Sequence, residues 1–497
     1  MNIQKHIMNT FFRKGTGFFK NLPLFIILIF ILSLCIIFIK PGHNWGDDFA
    51  LYINQAKAIT DGTIAIVKQN NQFSIDNSTI HTFSPTLAPW GWPIILSPFY
   101  YLFGLNIFVF KLLKCLFLVL FLYQFYRLIN RRLDKTSSSL IVLYLGTSFR
   151  YIDNVNVVLT ETPFLFFVTL SLNSIHNYKY EKYNLIKSIF LGLAIYFSFC
   201  IRSEGAMLGV ALFFWQVRES FQYKSLKKPS MDYLKWLVMP YIIFISFYLL
   251  ISSLLPSGFL SHFNDSHLVS VNHTLKAITF YIDKIRDMIY PGMNNFTYIL
   301  ITILFLIGLV TNFMKEIHTA IYLLLITITF LFWPFLEYRY LLMFFPFLIY
   351  FLALGVSYFD VFKSKLQPIH LVFVILILLN FYKIYSILDE NKLTKQIGPE
   401  NASSTEMFHF IKTNTKEKDV IIFFRPRAMT LYTGRQSAMI YRNWNDLLKI
   451  GDYLVLRRNL ATYFQFPANK INALGFKDNL QYVYQNEEFI VFKIKKL

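Results

Sequence analysis

Long apolar runs set the first limit on what this chain can become. Leu22 to Ile39, Leu237 to Leu255, Tyr298 to Val310 and Leu371 to Leu379 are nearly free of charge, and roughly 17–25 such residues cross a bilayer as a helix. Composition agrees. Of 497 residues 55% are hydrophobic and 15% charged, with a mean hydropathy of +0.45, whereas a soluble domain carries about 25% charge. The first run is too long for a removable signal and lacks a small-residue cleavage site, so it is expected to remain as a helix. Cys35, Cys115 and Cys200 all fall inside apolar runs. They are too widely spaced for a metal knuckle and read as small core hydrophobes, with no disulfide framework implied.

The net charge of +20 would suit nucleic acid if it formed one patch, but it does not. Lys5, Arg13, Lys14 and Lys20 precede the first run. Further groups are Arg127, Arg131, Arg132 and Lys135, then Lys179, Lys182 and Lys187, then Arg218, Lys224, Lys227, Lys228 and Lys235, and finally Lys315, Lys363 and Lys365. They sit on alternate connections between apolar runs, which is the positive-inside pattern of membrane proteins. The excess charge is topology, and no nucleic-acid partner is expected. Placing these groups in the cytoplasm gives about eleven transmembrane helices, near 22–40, 106–128, 137–151, 156–175, 185–201, 203–218, 236–255, 296–313, 319–336, 340–358 and 368–387. The chain therefore reads as a polytopic α-helical protein of the cell membrane, with a cytoplasmic N-terminus and an extracytoplasmic tail.

Two outward segments are large. In the loop 41–105, Asp48 begins a stretch whose Phe49, Tyr52, Ile53, Ala56 and Ile59 share one helical face, with Asp48, Asn54 and Gln55 off it. Such a stripe suits a helix lying on a membrane surface and ending at Asp61-Gly62. The tail, 388–497, has the composition of a soluble domain. Ser403-Ser404-Thr405-Glu406 reads as a capping box opening a helix to about Thr413, Asp419 to Phe424 as a strand, and Gln481–Gln485 with Phe489–Ile494 as a hairpin. A small α/β domain is expected there, beside a transmembrane body of residues 1–387.

Polar residues interrupt the apolar runs at a few places. Asp47 and Asp48 follow the first helix, where ionisable groups at a membrane boundary are functional candidates, although Asp47 could equally cap the helix starting at Asp48. Asp153 precedes Thr160-Glu161-Thr162-Pro163. Arg202-Ser203-Glu204-Gly205 separates the fifth and sixth spans, and Glu337-Tyr338-Arg339-Tyr340 the ninth and tenth. His81 and the stretch Pro89-Trp90-Gly91-Trp92-Pro93 lie in the first outward loop. All fall on one side of the expected membrane. Arginine grips phosphate bidentately and a carboxylate can orient or deprotonate a nucleophile, so the set suits chemistry on an anionic, lipid-borne group. The bland alternatives are ion pairs of Arg202 with Glu204 and of Arg339 with Glu337, and an interfacial aromatic belt for the Trp residues.

At these residues the chain resembles the GT-C superfamily of integral-membrane glycosyltransferases, in the branch of the protein O-mannosyltransferases and lipid A aminoarabinose transferases. The resemblance rests on Gly46-Asp47-Asp48-x-x-x-Tyr52, Trp90-Gly91-Trp92-Pro93-Ile94-Ile95-Leu96-Ser97-Pro98, Leu159-Thr160-Glu161-Thr162-Pro163-Phe164, Arg202-Ser203-Glu204-Gly205 and Arg339-Tyr340-Leu341-Leu342 with Pro346. The acidic pair often reads Asp-Glu in the family, so which carboxylate is the base stays open, and Trp90 and Trp92 stand where Pro and Tyr are frequent. The resemblance implies transfer of a hexose or pentose, with inversion, from a polyprenyl-phosphate-linked donor to a lipid, glycan or protein acceptor on the extracytoplasmic side. It implies acceptor activation by Asp47 or Asp48, phosphate binding by Arg202 or Arg339, and a pocket wall of Tyr52, His81, Trp90, Trp92, Asp153, Glu161 and Glu204. No cofactor is required, although some members hold a divalent metal near this site; nothing here has metal-ligand spacing. A transporter or flippase of lipid-linked anions is the rival reading, but transporters usually show internal repeats and none is visible. A non-enzymatic envelope scaffold leaves the acidic pair unexplained.

Overall fold

The computed structural model describes residues 22–79, 85–180, 183–222, 230–256, 270–359, 367–388, 398–441, 444–458, 460, 464–466 and 479–495. His81, the N-terminal basic group, Lys182, Lys224, Lys227, Lys228, Lys363 and Lys365 lie outside the described residues.

Helices form in every place where the apolar runs require them. Ile107–Ile129, Met231–Leu254, Asn295–Asn312, Tyr338–Tyr358 and Pro368–Ser386 are long and apolar enough to cross a bilayer, while Leu22–Ile37, Leu185–Ile201 and Ile317–Leu331 are apolar but shorter. Lys135–Thr147, Glu161–Asn177 and Met207–Gln222 occupy the remaining expected positions. At 1.5 Å per residue, helices of 13 to 17 residues reach only about 20–26 Å, short of a 30 Å hydrocarbon core. The protein is a multi-pass membrane protein; among the described residues five helices are long and apolar enough for a full span.

Tyr338–Tyr358 is the innermost span, 83% buried, whereas Met231–Leu254 and Asn295–Asn312 are each 6% buried and lie at the rim. The rim helix Asn295–Asn312 meets the inner one backbone to backbone. A Cβ on Gly308 would stand 1.9 Å from the Phe351 carbonyl oxygen, and one on Gly355 1.8 Å from that of Leu304. Apolar lipid supplies no hydrophobic drive between helices, so such small-residue approach is how they gain packing. Several helices were not expected. Val271–Ile289 runs through what reads as an outward connection, burying Ala277, Tyr281, Met288 and Ile289. Its charges hid it, although Arg286–Asp283 and Lys284–Asp287 are spaced as helical i, i+3 pairs at 3.4 and 3.8 Å.

In the first outward segment the helix Asp48–Asp61 forms as expected and closes on Gly62, at φ +69. Its surroundings differ from the expectation. Asn54 and Gln55, read as the water-facing side, are buried. Gln55 exchanges hydrogen bonds with the Ala88 backbone at 2.7 and 3.0 Å, and the Asn54 amide donates to the Arg427 carbonyl at 3.3 Å. The helix is covered on both sides, by Gly91–Phe103 and by Pro426–Thr433 of the tail. The apolar stripe gave one face; the second is satisfied by amide hydrogen bonds that carry no periodicity.

The tail folds into a five-stranded sheet. Its strands are β1 (Ile421–Ile422), β2 (Ser437–Ala438), β3 (Tyr453–Arg457), β4 (Leu480–Gln485) and β5 (Phe489–Ile494), in the order β2-β1-β3-β5-β4. β1 pairs in parallel with β2 and β3, and β5 is antiparallel to both β3 and β4. The hairpin matches its expected place, while β1 is shorter than 419–424. The helix Ala402–Asn414 is capped by Asn401, whose side chain accepts from the Ser404 amide at 2.7 Å, not by the Ser403–Glu406 box.

This sheet domain is bound tightly to the first outward segment. The Trp45 ring sits among Phe408, Phe423, Phe424 and Phe489, with centroids 5.0 to 6.2 Å away. The Thr79 amide donates to the Met439 carbonyl at 2.8 Å, and the Met439 amide to the Ser78 hydroxyl at 3.0 Å. Gly398, at φ +76, lies against the His43 carbonyl so closely that a Cβ would stand 1.7 Å from its oxygen.

Candidate functional site

A cavity of ≈ 510 Å³ opens where these parts meet. One wall is the loop and first turns of Asp48–Asp61, bearing His43, Asp47, Asp48 and Tyr52. A second is the turn Ile201–Glu204, a third the stretch Trp333–Tyr340, and the roof is Arg425, Arg427 and Phe464 from the sheet domain.

Local sequence explains how the arginines are aimed. After Ile201 the chain extends at Arg202 and enters a 3-10 turn, Ser203–Ala206. Gly205 allows that turn to sit on the Phe199 backbone, 2.3 Å from where its Cβ would be, and Gly91 does the same against Cys200 at 2.6 Å. Arg202 is thereby held to Glu204 at 2.7 Å and to the Thr160 hydroxyl at 3.0 Å. Arg339 occupies a second 3-10 turn, Tyr338–Tyr340, pinned by Tyr340 stacking on Phe330 at 4.9 Å. The two guanidiniums lie 5.7 and 5.6 Å from the Tyr340 ring centroid.

The acidic pair is split by its surroundings. Asp48 turns to Arg339, Oδ2 to Nη2 at 2.7 Å. The expected Glu337–Arg339 pair is replaced by this contact, whereas the Arg202–Glu204 pair forms as the bland alternative had it. Asp47, 8% exposed, does not cap the helix that follows; its Oδ1 accepts from the Ala428 amide of the sheet domain at 3.3 Å, and its Oδ2 has no hydrogen-bond partner among the described residues. Burial pushes the Asp47 carboxyl above the usual aspartate value, more than Arg427 and Arg425 pull it down. Burial also raises Asp48, but Arg339, by charge and hydrogen bond, more than reverses this and leaves it below that value. Burial lifts the Tyr52 hydroxyl to about 12. Two neighbouring carboxylates with separated pKa values are the usual mark of divided acid–base roles.

Each guanidinium is placed differently. Arg427 donates to the Pro85 carbonyl at 2.7 Å. Arg425 lies over Phe464 and Phe424, 5.2 and 5.8 Å from the centroids, and its Nε has no hydrogen-bond partner among the described residues. His43 is kept neutral: burial lowers it to about 3. Its Nε2 accepts from the Val158 amide at 2.9 Å, so Nδ1 carries the proton and donates to the Asn44 carbonyl at 2.8 Å.

Among solved structures, the chain superposes on ArnT from Cupriavidus metallidurans bound to undecaprenyl phosphate with a TM-score of 0.60 at 10% identity, covering 94% of this chain and 97% of that one. The archaeal oligosaccharyltransferase AglB from Archaeoglobus fulgidus, in complex with an inhibitory peptide and a dolichol-phosphate, matches at 0.54 and 12% over 88% and 70%. The mycobacterial arabinofuranosyltransferase AftD matches at 0.51 and 11% over 94% and 41%. This is the GT-C fold. No family model and no curated protein matches the sequence.

Within this GT-C fold Asp47, Asp48, Tyr52, Arg202, Glu204 and Arg339 meet at the cavity. Those of the other expected wall residues that are among the described residues lie elsewhere. Glu161 is fully buried beyond it, 3.9 Å from Lys114 and 3.4 Å from the Asn154 amide. Asp153 pairs with Lys40 at 2.9 Å. Trp90 braces the connection after Met231–Leu254, donating to the Pro256 carbonyl at 2.8 Å, and Trp92 packs edge-on against Phe117 at 5.8 Å. His43, Arg425, Arg427 and Phe464 were missed. Arg425-Pro426-Arg427 directly after an apolar strand is the one signal that could have found the roof.

Proposed function

We propose that the protein is a glycosyltransferase that moves a hexose or pentose from a polyprenyl-phosphate donor to a lipid, glycan or protein hydroxyl. The observation that carries the reading is the acidic pair at one cavity. Asp47 is buried with a free oxygen and a raised pKa, and Asp48 is bound to Arg339. Asp47 takes the acceptor proton as the hydroxyl oxygen bonds to the anomeric carbon. The bond from that carbon to the phosphate oxygen breaks with inversion, and polyprenyl phosphate leaves with the electron pair. Arg202, Arg339 and the roof arginine Arg425 receive the growing phosphate charge, since a planar guanidinium matches phosphate oxygens bidentately. The GT-C fold, shared with a protein whose structure holds undecaprenyl phosphate, supports a lipid-borne donor. In this reading the cavity faces the extracytoplasmic side of the cell membrane, the N-terminus is cytoplasmic, residues 1–387 form the catalytic body and 388–497 an extracytoplasmic domain. Pocket roles for Trp90, Trp92, Asp153 and Glu161 are then indirect, through packing and charge balance.

The test is consumption of labelled polyprenyl-phosphate sugars by the purified protein, offered hydroxyl acceptors of each class. Replacing Asp47 and Asp48 together by Asn should abolish release of polyprenyl phosphate while the protein still inserts and melts as wild type. Wild-type turnover by that variant defeats the proposal. Reporter fusions at Lys228 and Lys416 should report opposite sides of the membrane; the same side for both overturns the topology.

A further inference from the structure

The helix Glu161–Asn177 starts behind the cavity, and His176, near its other end, lies roughly 22 Å further along at 1.5 Å per residue. There His176 meets Glu316 and His318, which precede and open the helix Ile317–Leu331. One ligand atom from each of the three falls within 4.8 Å of the others. The mechanism proposed for the cavity uses none of them.

The polar atoms here are unusually bare. His318 is fully buried, and neither ring nitrogen has a hydrogen-bond partner among the described residues; the same holds for His176 Nδ1. Glu316 is fully buried too. Its Oε1 accepts from Arg132 Nε at 2.8 Å, while Oε2, with the Tyr350 hydroxyl nearby, makes no hydrogen bond of ordinary geometry. A neutral imidazole has both an N–H and a lone pair to satisfy, and leaving both buried and unmet is costly. Ring packing explains part of the arrangement, since Trp215 lies 4.8 Å from His318 and 5.2 Å from His176. It accounts for the ring faces and leaves the converging nitrogens without a purpose.

We propose that His176, Glu316 and His318 bind a divalent transition-metal ion, with zinc the best fit, as a structural staple between two helix ends. Two imidazoles and a carboxylate suit zinc, cobalt or nickel and disfavour magnesium and calcium, which take oxygen ligands. Ligand atoms around a tetrahedral zinc stand roughly 3.4 Å apart, so the three must draw inward. His176, half-buried, is the side chain free to swing and the route by which an ion enters. Arg132 fixes the carboxylate as outer partners of metal ligands do. Arg131, Arg132, Arg218 and Lys179 all act on His176 electrostatically, with Arg218 partly offset by Glu219 at 2.9 Å. That positive surround opposes a bare dication, so the bound ion must carry an anion such as hydroxide or chloride in the fourth position.

The experiment uses the full chain in detergent, stripped by a chelator and titrated with Co²⁺ as the probe. One equivalent should give the visible ligand-field band of a four- or five-coordinate site, be displaced by Zn²⁺, and raise the melting temperature. His318→Ala should remove the band. Because that variant also opens the core, His176→Gln is the partner test, with Co²⁺ affinity expected to fall roughly ten-fold or more while the apo protein melts as wild type. No band at one equivalent overturns the proposal, as does a band of equal affinity in wild type and His176→Gln, which would mark adventitious binding. Sugar transfer does not enter the readout, so the two proposals stand or fall separately.

Discussion

At the Glu161 end of the helix Glu161–Asn177, charged side chains are present in quantity and mostly matched: Arg202 with Glu204, Arg339 with Asp48, Lys114 with Glu161. The first two pairs border a space large enough for a sugar phosphate, and the third lies buried behind it. At the His176 end, a few groups are buried with their polar atoms unmet and converge on a point. A cavity edged by exchangeable ion pairs is prepared for a charged molecule that swaps partners as it arrives and leaves. A knot of orphaned nitrogens is prepared for a single atom that stays. The contrast is one of ligand size and residence, and it can be broken at either end.

The largest effect is expected at the free carboxylate. Asp47→Asn should lower transfer by roughly 10²–10⁴-fold, about 2.7–5.4 kcal/mol of barrier, with His176→Gln near wild type in the same assay. The pH profile sharpens the assignment. Burial raises Asp47, so the acid limb of kcat/KM should lie above the usual aspartate value, and Asp48→Asn should move it down by removing a neighbouring negative charge. The sign carries over to stability. A carboxyl held more protonated when folded contributes fully below its unfolded value, and that contribution fades as pH rises through the raised one. A limb below the usual value, lost in Asp48→Asn, would exchange the two roles.

Next in size is the roof. Trp45→Ala empties the aromatic box and should cost about 3–5 kcal/mol, read as loss of the sheet domain's protection from protease while the helical body stays folded. If both parts melt together, they form a single cooperative unit and the roof cannot be lifted alone. A smaller change is expected for Arg202→Lys, which keeps the charge but loses the planar fork. Donor affinity should fall by one to two orders of magnitude, about 1.5–3 kcal/mol. A double-mutant cycle with Glu204→Gln, read by melting and by donor binding, separates phosphate contact from simple pairing; coupling seen only in melting would remove Arg202 from the donor site. Smallest is Asp153→Asn. Its pair with Lys40 is partly exposed, 27% and 47% for the two side chains, so a stability change of about 0.2–1 kcal/mol is expected in thermal melts. A larger loss would mean that Asp153 supports the cavity after all.

The sequence was most legible where a single local pattern governs the outcome. Charge-free runs became helices, and Gly62 ended the helix that Asp48 begins. Asp47, Asp48, Arg202, Glu204 and Arg339, all placed at the expected membrane boundary, gathered at one cavity. Reading failed where the determinant is tertiary. Gln55 looks water-facing by periodicity, yet the Ala88 backbone claims both ends of its amide. Trp90 and Trp92 carry the signature of an interfacial belt or a sugar platform and are spent on packing. Arg425 and Arg427 could not be joined to Asp47 without knowing that the sheet domain docks over the first outward segment. His318 is an ordinary histidine three residues after Lys315 until both of its nitrogens prove to be buried and bare.

The docking of the sheet domain has a consequence for how the protein comes into being. One cavity wall is made from residues near 43–52 and its roof from 425–427, so the ribosome supplies that wall long before the roof. Until the roof is made, Asp47 lacks the Ala428 amide, Trp45 lacks its ring of phenylalanines and the cleft is open to water. A nascent or truncated chain can sit in the bilayer with every apolar run in place and still present no enclosed site. Enclosure of the site therefore waits on the sheet domain, whatever the state of the helical bundle.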